Sequence, residues 1–201
     1  MKVVNRLVLA VSFLFASIAN ANVILSLDPV NQDAVIGDLL SVNVMISGLG
    51  NGEALSLGTF DIDVAFDTSA LSFAGYNLGS ELGADLFASV DGSQGVAGPG
   101  GSGAVNIAEF SFLSSDDLWD YQPGSFVLAE LFFVVDAPTT STLGFAFADL
   151  TDVNGDIINI IGINDAEVTG VPAPATLSLM GLALLAMFTR QKRYSAAMQT
   201  S

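Results

Sequence analysis

Carboxylates are the main chemically active side chains of this 201-residue sequence, which contains no His and no Cys. The chain therefore lacks imidazole bases, thiol nucleophiles and the usual zinc and haem ligands. A carboxylate pair, as in glycosidases, is the common catalytic arrangement that remains. Asp61 and Asp63 would lie on one face of a strand about 7 Å apart. Outward-facing Asp residues also keep a sheet face soluble and discourage edge pairing, so we predict no catalytic residues and no enzyme.

A second group of oxygen ligands consists of Asp152, Asn154 and Asp156. Their spacing matches the first three ligand positions of a calcium-binding loop. The match ends there, because Gly155 precedes the expected glycine position and Ile163 replaces the expected glutamate. The letters Val-Asn-Gly-Asp are also typical of a tight hairpin turn. The sequence favours the turn, leaves a calcium site as the alternative, and predicts no other cofactor.

Charge is distributed very unevenly along the chain. The five basic residues all lie near the two ends, namely Lys2, Arg6, Arg190, Lys192 and Arg193. All 21 acidic residues lie between Asp28 and Glu167, and the net charge is −16. An acidic surface repels phosphate backbones, so nucleic-acid binding is excluded. The distribution divides the chain into three segments with different roles.

The first segment, residues 1–21, is predicted to be a secretory signal peptide. Two basic residues precede an apolar run at 7–18, and the small residues Ala19 and Ala21 occupy the −3 and −1 positions of a signal peptidase site. The exported chain would begin at Asn22. Because it has no Cys, its stability must come from core packing or bound ions.

The third segment, residues 171–201, is predicted to hold the chain in the membrane. Residues 175–189 carry no charge and would form a helix of roughly 22 Å. This is shorter than the roughly 30 Å hydrocarbon core, and snorkelling of the basic tail at 190–193 would cover the difference. The positive-inside rule places this tail, with Arg190, Lys192 and Arg193, in the cytoplasm.

The same segment resembles a known sorting signal. The motif Val171-Pro172-Ala173-Pro174, followed by an apolar stretch and basic residues, is similar to the PEP-CTERM signal of exported proteins from Gram-negative, polysaccharide-producing bacteria. The usual core is Val-Pro-Glu-Pro-Ala-Thr, and Ala173 stands in place of the Glu. The resemblance implies recognition by an exosortase-type processing enzyme. It also implies anchoring in the inner membrane during sorting, and then location at the cell surface or in the extracellular matrix.

The middle segment, residues 22–170, is predicted to be a β-sandwich. Apolar and polar residues alternate at 40–46 and 60–66, as in half-buried strands, and 126–135 is a nearly continuous apolar run. Shorter strands are predicted at 23–27, 71–73, 86–90, 105–112, 143–147, 157–161 and 163–168. About nine strands with Gly-rich turns predict two packed sheets.

Three local features interrupt this pattern. The apolar phase slips between Ile107 and Phe110, which predicts a bulge near Ala108. The Gly-rich stretch at 92–103 predicts a loop that holds no strand, and 114–124 predicts a second long loop.

The middle segment also resembles a known module. Residues 37–44, 58–67 and 71–73 are similar to the opening of a cellulosome-type cohesin domain, and residues 129–134 and 152–156 to its second half. The resemblance implies a nine-stranded jelly-roll sandwich that binds a dockerin-like protein partner through one sheet face. We therefore predict an adhesion or scaffolding module.

The alternative is a carbohydrate-binding module for extracellular polysaccharide. Such a module stacks sugar rings on exposed aromatic side chains. The candidates are Trp119 and Tyr121, on an acidic loop, and Tyr76. Aromatic residues in such loops also cap the end of a sandwich core, so both roles stay open.

Export is expected to remove residues 1–21, because small residues stand at both positions that signal peptidase reads. N-terminal sequencing of the exported protein should therefore give Asn22 as the first residue. A chain that still begins with Met1 or Lys2 after export would show that no signal peptide is present.

Overall fold

The computed structural model describes residues 23–50, 56–83, 89–91, 95–97, 102–173, 179–180 and 187. In this part of the chain, twelve strands are present: β1 (Val23–Asp28), β2 (Asn31–Val35), β3 (Leu39–Ser47), β4 (Thr59–Asp67), β5 (Leu71–Leu78), β6 (Ser89–Asp91), β7 (Gly95–Ala97), β8 (Ser102–Ser111), β9 (Ser125–Val135), β10 (Thr140–Thr151), β11 (Ile160–Asn164) and β12 (Ala166–Val171). A short helix, α1 (Ser115–Tyr121), lies between β8 and β9.

The strands form two sheets that pack face to face. The five-stranded sheet has the order β11-β1-β3-β9-β5. The seven-stranded sheet has the order β2-β12-β10-β4-β8-β6, and β7 also pairs with β8. Two pairs, β1 with β11 and β2 with β12, are parallel. The predicted all-β sandwich is confirmed.

One side of each central strand fills the space between the sheets. On β3 and β4, alternate residues such as Val42, Val44, Ile62 and Val64 are fully buried, because strand side chains point to opposite faces in turn. Phe133 of β9 is fully buried at the centre. Its ring contacts those of Phe66 at 5.1 Å and Phe73 at 5.7 Å, both edge-on, which is the geometry that aromatic quadrupoles favour.

The bulge predicted near Ala108 is wrong. β8 pairs with β4 in continuous register from Phe110 to Ser102, so Glu109 stays inside and Phe110 points outward. The interior accepts the polar Ser111 because neighbouring loops supply its hydrogen bonds. Ser111 Oγ donates to Leu82 O at 2.5 Å and Ser111 N–H donates to Gly58 O at 2.9 Å.

The two loop predictions also need correction. β7 lies within the Gly-rich stretch predicted to hold no strand, because pairing to β8 requires only backbone groups.

α1 occupies part of the second predicted loop. Ser114 Oγ accepts a hydrogen bond from Asp117 N–H at 3.2 Å, which caps the helix, and Leu118 is fully buried. The side chain of Gln122, at the end of the helix, accepts a hydrogen bond from Leu57 N–H and donates to the carbonyl oxygens of Leu57 and Glu81.

The sequence pattern does not predict β2 either. Its residues, Asn-Gln-Asp-Ala-Val, are mostly polar, which an edge strand tolerates, and among the described strands it pairs with β12 alone. The predicted signal peptide at 1–21 lies outside the described residues, as does the basic tail at 190–193. Among the described residues, no helix meets the length and hydropathy needed to cross a membrane. Of the predicted span at 175–189, only Leu179, Met180 and Met187 are described.

Removal of the central ring is expected to cost much more than removal of an exposed one. Phe133→Ala should lower the free energy of unfolding by about 3–5 kcal/mol, because it leaves a cavity under Phe66 and Phe73. Phe112→Ala, on a ring that is 59% exposed, should change it by no more than about 0.5 kcal/mol. Urea unfolding of both variants measures the difference. Equal losses would show that Phe112 is packed as firmly as Phe133.

Candidate functional site

The outer face of the seven-stranded sheet carries an acidic row. Since Phe60, Ile62 and Val64 point into the core, Asp61 and Asp63 of β4 must point outward. The register of β10 places Asp149 beside Asp61. Three carboxylates thus lie on adjacent positions of one sheet face, which we call the acidic row.

Asn106 of β8 holds two members of this row. Its Nδ2 donates to Asp61 Oδ1 at 2.7 Å and to Asp63 Oδ1 at 2.8 Å. Because an amide is neutral, this bridge orients the carboxylates without cancelling their charge. No group of three or more His, Cys, Asp or Glu side chains suited to a metal ion exists among the described residues. The row is therefore a charged surface that a cationic group can approach.

Exposed phenylalanine rings flank the acidic row. Phe147 of β10 is 49% exposed and stands beside Asp63 in the register. At the other end, Phe110 and Phe112 are 48% and 59% exposed, and their rings meet edge-on at 5.3 Å. Large apolar rings are seldom left in water without a reason when they lie close together. We call the acidic row and these three rings the outer face.

Sequence reasoning missed half of this outer face. The predicted bulge near Ala108 did not identify Phe110 or Phe112 as exposed. The available signal was the unbroken alternation from Val105, which places both rings outside once Glu109 is accepted inside.

A shallow groove lies on the same sheet, near the ends of β4 and β10. It has a volume of about 550 Å³ and is lined by Asp67, Thr140, Thr142 and Gly144 among others. Asp67 is the one titratable side chain among the described residues that line it, so the groove holds no carboxylate pair.

The aromatic residues predicted as sugar-stacking candidates lie on two different elements, α1 and β5. Trp119 of α1 is 42% exposed, beside Asp116 and Asp120. Tyr76 of β5 is partly buried against the core, and its hydroxyl donates to Asp91 Oδ2 at 2.8 Å. The side chain of Tyr121 lies outside the described residues.

Asp152, Asn154 and Asp156 form a turn after β10. The Oδ1 atom of Asp152 accepts from the backbone N–H groups of Asn154 and Asp156, each at 2.8 Å, and its Oδ2 accepts from Asn154 Nδ2 at 3.0 Å. Gly155 adopts a φ of +85°, which favours glycine. Partial burial works against ionisation of Asp152, but the hydrogen bonds from Asp156 and Asn154 together outweigh it and lower its pKa. The structure has the predicted turn, and calcium binding there stays a prediction.

The predicted sorting motif begins inside the sheet. Val171 is the last residue of β12, and its carbonyl accepts from Ile36 N–H at 3.1 Å. Pro172 and Ala173 follow and are exposed. The other predicted motif residues, Pro174, Arg190, Lys192 and Arg193, lie outside the described residues, as do Ala19 and Ala21 of the predicted cleavage site.

Solved structures of cohesins resemble the domain. The cohesin module from a Clostridium perfringens family 33 glycoside hydrolase has a TM-score of 0.56 and 14% identity, over 76% of this chain and 97% of that one. The sixth cohesin of Acetivibrio cellulolyticus scaffoldin B, in complex with the Cel5 dockerin, has a TM-score of 0.55 and 17% identity, over 75% and 99%. A non-cellulosomal cohesin from Archaeoglobus fulgidus has a TM-score of 0.53 and 18% identity, over 75% and 92%.

These likenesses define the class: the domain is an all-β sandwich with a cohesin-like fold. No curated protein matches the chain. Residues 170–193 match the PEP-CTERM protein-sorting motif. The chain therefore combines a cohesin-like domain with a C-terminal sorting motif, as the two resemblances implied.

Asp152→Ala is expected to destabilise the domain by about 1 kcal/mol at neutral pH, because the turn loses the acceptor of three hydrogen bonds. Asp156→Ala is the matched control, since Asp156 supports the turn through its backbone. A lowered pKa in the folded state gives stability that is present above the unfolded value of about 3.9 and disappears as the pH falls through the folded value. Melts from pH 7 down to pH 2 should therefore bring the wild type and Asp152→Ala together. A constant difference at every pH would contradict this role of the carboxylate.

Thermal melts of the same variants in different salts distinguish the turn from a calcium site. With a turn alone, calcium chloride and magnesium chloride of equal ionic strength should give equal melting temperatures. A calcium-specific rise that both variants abolish would establish an ion site, because a ligand of the native state stabilises it by mass action.

Proposed function

We propose that the protein is an exported, non-catalytic adhesion or scaffolding protein whose cohesin-like domain binds a protein partner through the outer face. The main support for this proposal is the acidic row, which lies between exposed phenylalanine rings on one sheet face. Aromatic rings are enriched in the buried centres of protein interfaces. Complementary charges steer the partner and fix its register.

Charge selects the kind of partner. The chain has no Lys or Arg between Arg6 and Arg190, so the domain offers only negative charge. A partner that presents Lys or Arg side chains to the acidic row, and apolar side chains to the rings, fits this face. The dockerin that accompanies the Acetivibrio cellulolyticus cohesin is a precedent for a dockerin-like partner here.

The chemistry of the outer face supports a role without catalysis. Asp61 and Asp63 share one neutral donor and lie on an open sheet face. The chain supplies no His or Cys, so neither an imidazole base nor a thiolate nucleophile is available to work with them.

The sorting motif at 170–193 supports an exported location. We propose that signal peptidase removes residues 1–21, that residues 22–170 fold outside, and that 171–201 is the sorting segment with a transmembrane helix at about 175–189. An exosortase-type enzyme then processes the chain. Before processing the protein is anchored in the inner membrane of a Gram-negative bacterium, and afterwards it belongs to the cell surface or the extracellular matrix.

One observation favours carbohydrate as the alternative ligand. Phe110, Phe112 and Phe147 are exposed on the sheet face that carries Asp61, Asp63 and Asn106, and stacking with hydrogen bonding is how proteins hold sugars. Extracellular polysaccharide from the producing bacterium is therefore the second ligand to test.

Substitutions on the outer face are expected to abolish partner binding without unfolding the domain. A variant with Asp61→Asn, Asp63→Asn and Phe147→Ser, fixed to a resin, should lose the exported proteins that the wild-type domain retains. Asn43→Ala with Met45→Ser, on the outside of the five-stranded sheet, is the matched control and should retain them. The readout is mass spectrometry of the bound fraction, with a thermal melt of each variant to confirm folding.

Salt and sugar separate the two ligands. Protein binding to the acidic row should weaken when sodium chloride is raised from 0.05 to 0.5 M, because the Debye length falls from roughly 14 Å to roughly 4 Å and the charges are screened. Retention of purified polysaccharide, independent of salt and lost with Phe110→Ser, would favour the carbohydrate module instead. Retention of neither ligand would contradict a binding role for the outer face.

A further inference from the structure

The sorting motif and the folded domain overlap. The motif begins at residue 170, whereas β12 continues to Val171. The first two motif residues, Gly170 and Val171, are therefore also the last two residues of a strand in the seven-stranded sheet. Any enzyme that processes the motif meets the domain at this point.

Gly170 and Val171 are hydrogen-bonded to the backbone of the segments on both sides of β12. In the register of β2, Gly170 stands opposite Ala34 and Val171 opposite Val35. Gly170 N–H donates to Thr139 O at 2.9 Å, and the Val171 carbonyl accepts from Ile36 N–H at 3.1 Å. The strand is thus hydrogen-bonded to its very end.

Packing around Gly170 leaves no room for a side chain at this position. A Cβ atom at this position would collide with the carbonyl oxygen of Ala137 and would lie 2.9 Å from Cγ1 of Val135. The next residue, Pro172, has no N–H group and so ends the ladder. Pro172 and Ala173 are exposed, which makes Pro172 the first motif residue outside the sheet.

Peptide-cleaving enzymes bind their substrates as extended chains through main-chain hydrogen bonds, as in strand addition. A residue whose N–H and C=O groups already belong to a sheet cannot make those bonds. Gly170 and Val171 are therefore closed to an active site unless the end of β12 separates from β2 and from the 137–139 segment.

From this geometry we infer that processing of the sorting segment breaks a peptide bond on the C-terminal side of Pro172. The folded end of β12 limits the rate of processing, because Gly170 and Val171 must leave the sheet before an enzyme can bind the whole motif. The inference rests on the proposed processing by an exosortase-type enzyme. The acyl carbon bonds to a nucleophile, which is water or an acceptor amine. The C–N bond breaks, and the departing nitrogen takes up the proton that the nucleophile releases. The mature domain keeps β12 whole.

This placement also protects the fold. Cleavage within β12 would remove the residues that pair with Val35 and Ile36 and leave β2 with fewer hydrogen bonds. Cleavage beyond Pro172 separates the sorting segment and leaves every described strand intact.

The test uses the full chain, expressed in a bacterium that processes PEP-CTERM proteins. A Gly-Ser-Gly-Ser insertion between Val171 and Pro172 moves the motif away from the sheet. It should increase the processing rate severalfold in a pulse–chase experiment. The same insertion between Gly100 and Gly101, in the predicted Gly-rich loop, is the matched control and should leave the rate unchanged.

Mass spectrometry of the mature C-terminus gives the second readout. The wild-type chain should end at Pro172 or later, and the inserted chain should be cut at the same bond of the motif. A mature chain that ends at or before Val171 would overturn the inferred position, and an unchanged rate after insertion would overturn the limit set by β12. A C-terminus that keeps the whole sorting segment would contradict the processing step under the proposed function.

Discussion

The alternation of side chains along the central strands is the constraint on which the structure depends. Two sheets enclose one core, so each strand must give one side to the interior and the other to water. On β4 this rule buries Phe60, Ile62 and Val64, and by the same geometry it presents Asp61 and Asp63 outside. The outer face is thus a direct consequence of how the core is filled, and it cannot move without exchanging every buried residue for an exposed one.

The domain holds its carboxylates in place without cationic side chains. Asn106 bridges Asp61 and Asp63, and the turn after β10 wraps its own N–H groups around Asp152. The hydroxyl and the backbone N–H of Ser69 donate to Asp67 and lower its pKa. Neutral donors orient these four carboxylates but leave their charge uncancelled, so the surface stays strongly negative. That uncancelled charge is what a basic partner would recognise.

The two functional parts of the chain meet at the end of β12. The edge strand β2 pairs in parallel with Gly170 and Val171, so the folded domain and the sorting motif share two residues. The proline that follows ends the strand for the same reason that it begins the exposed part of the motif, because it has no N–H group to donate. Sorting and folding are therefore coupled through a few backbone hydrogen bonds.

The sequence by itself determined the class of fold, most strands and the sorting motif, since alternation and the Pro-x-Pro pattern are local properties. The strands at 40–46, 60–66 and 126–135 were predictable because their inner sides are wholly apolar. The sequence could not show that the polar side chain of Ser111 lies inside, because its hydroxyl is satisfied by Leu82 O, a loop partner distant in the chain. Nor could it show β2 and β7, whose places depend on pairing with β12 and β8. The outer face was decided by tertiary structure alone, because the registers of β4, β8 and β10 bring together residues from three separate parts of the chain.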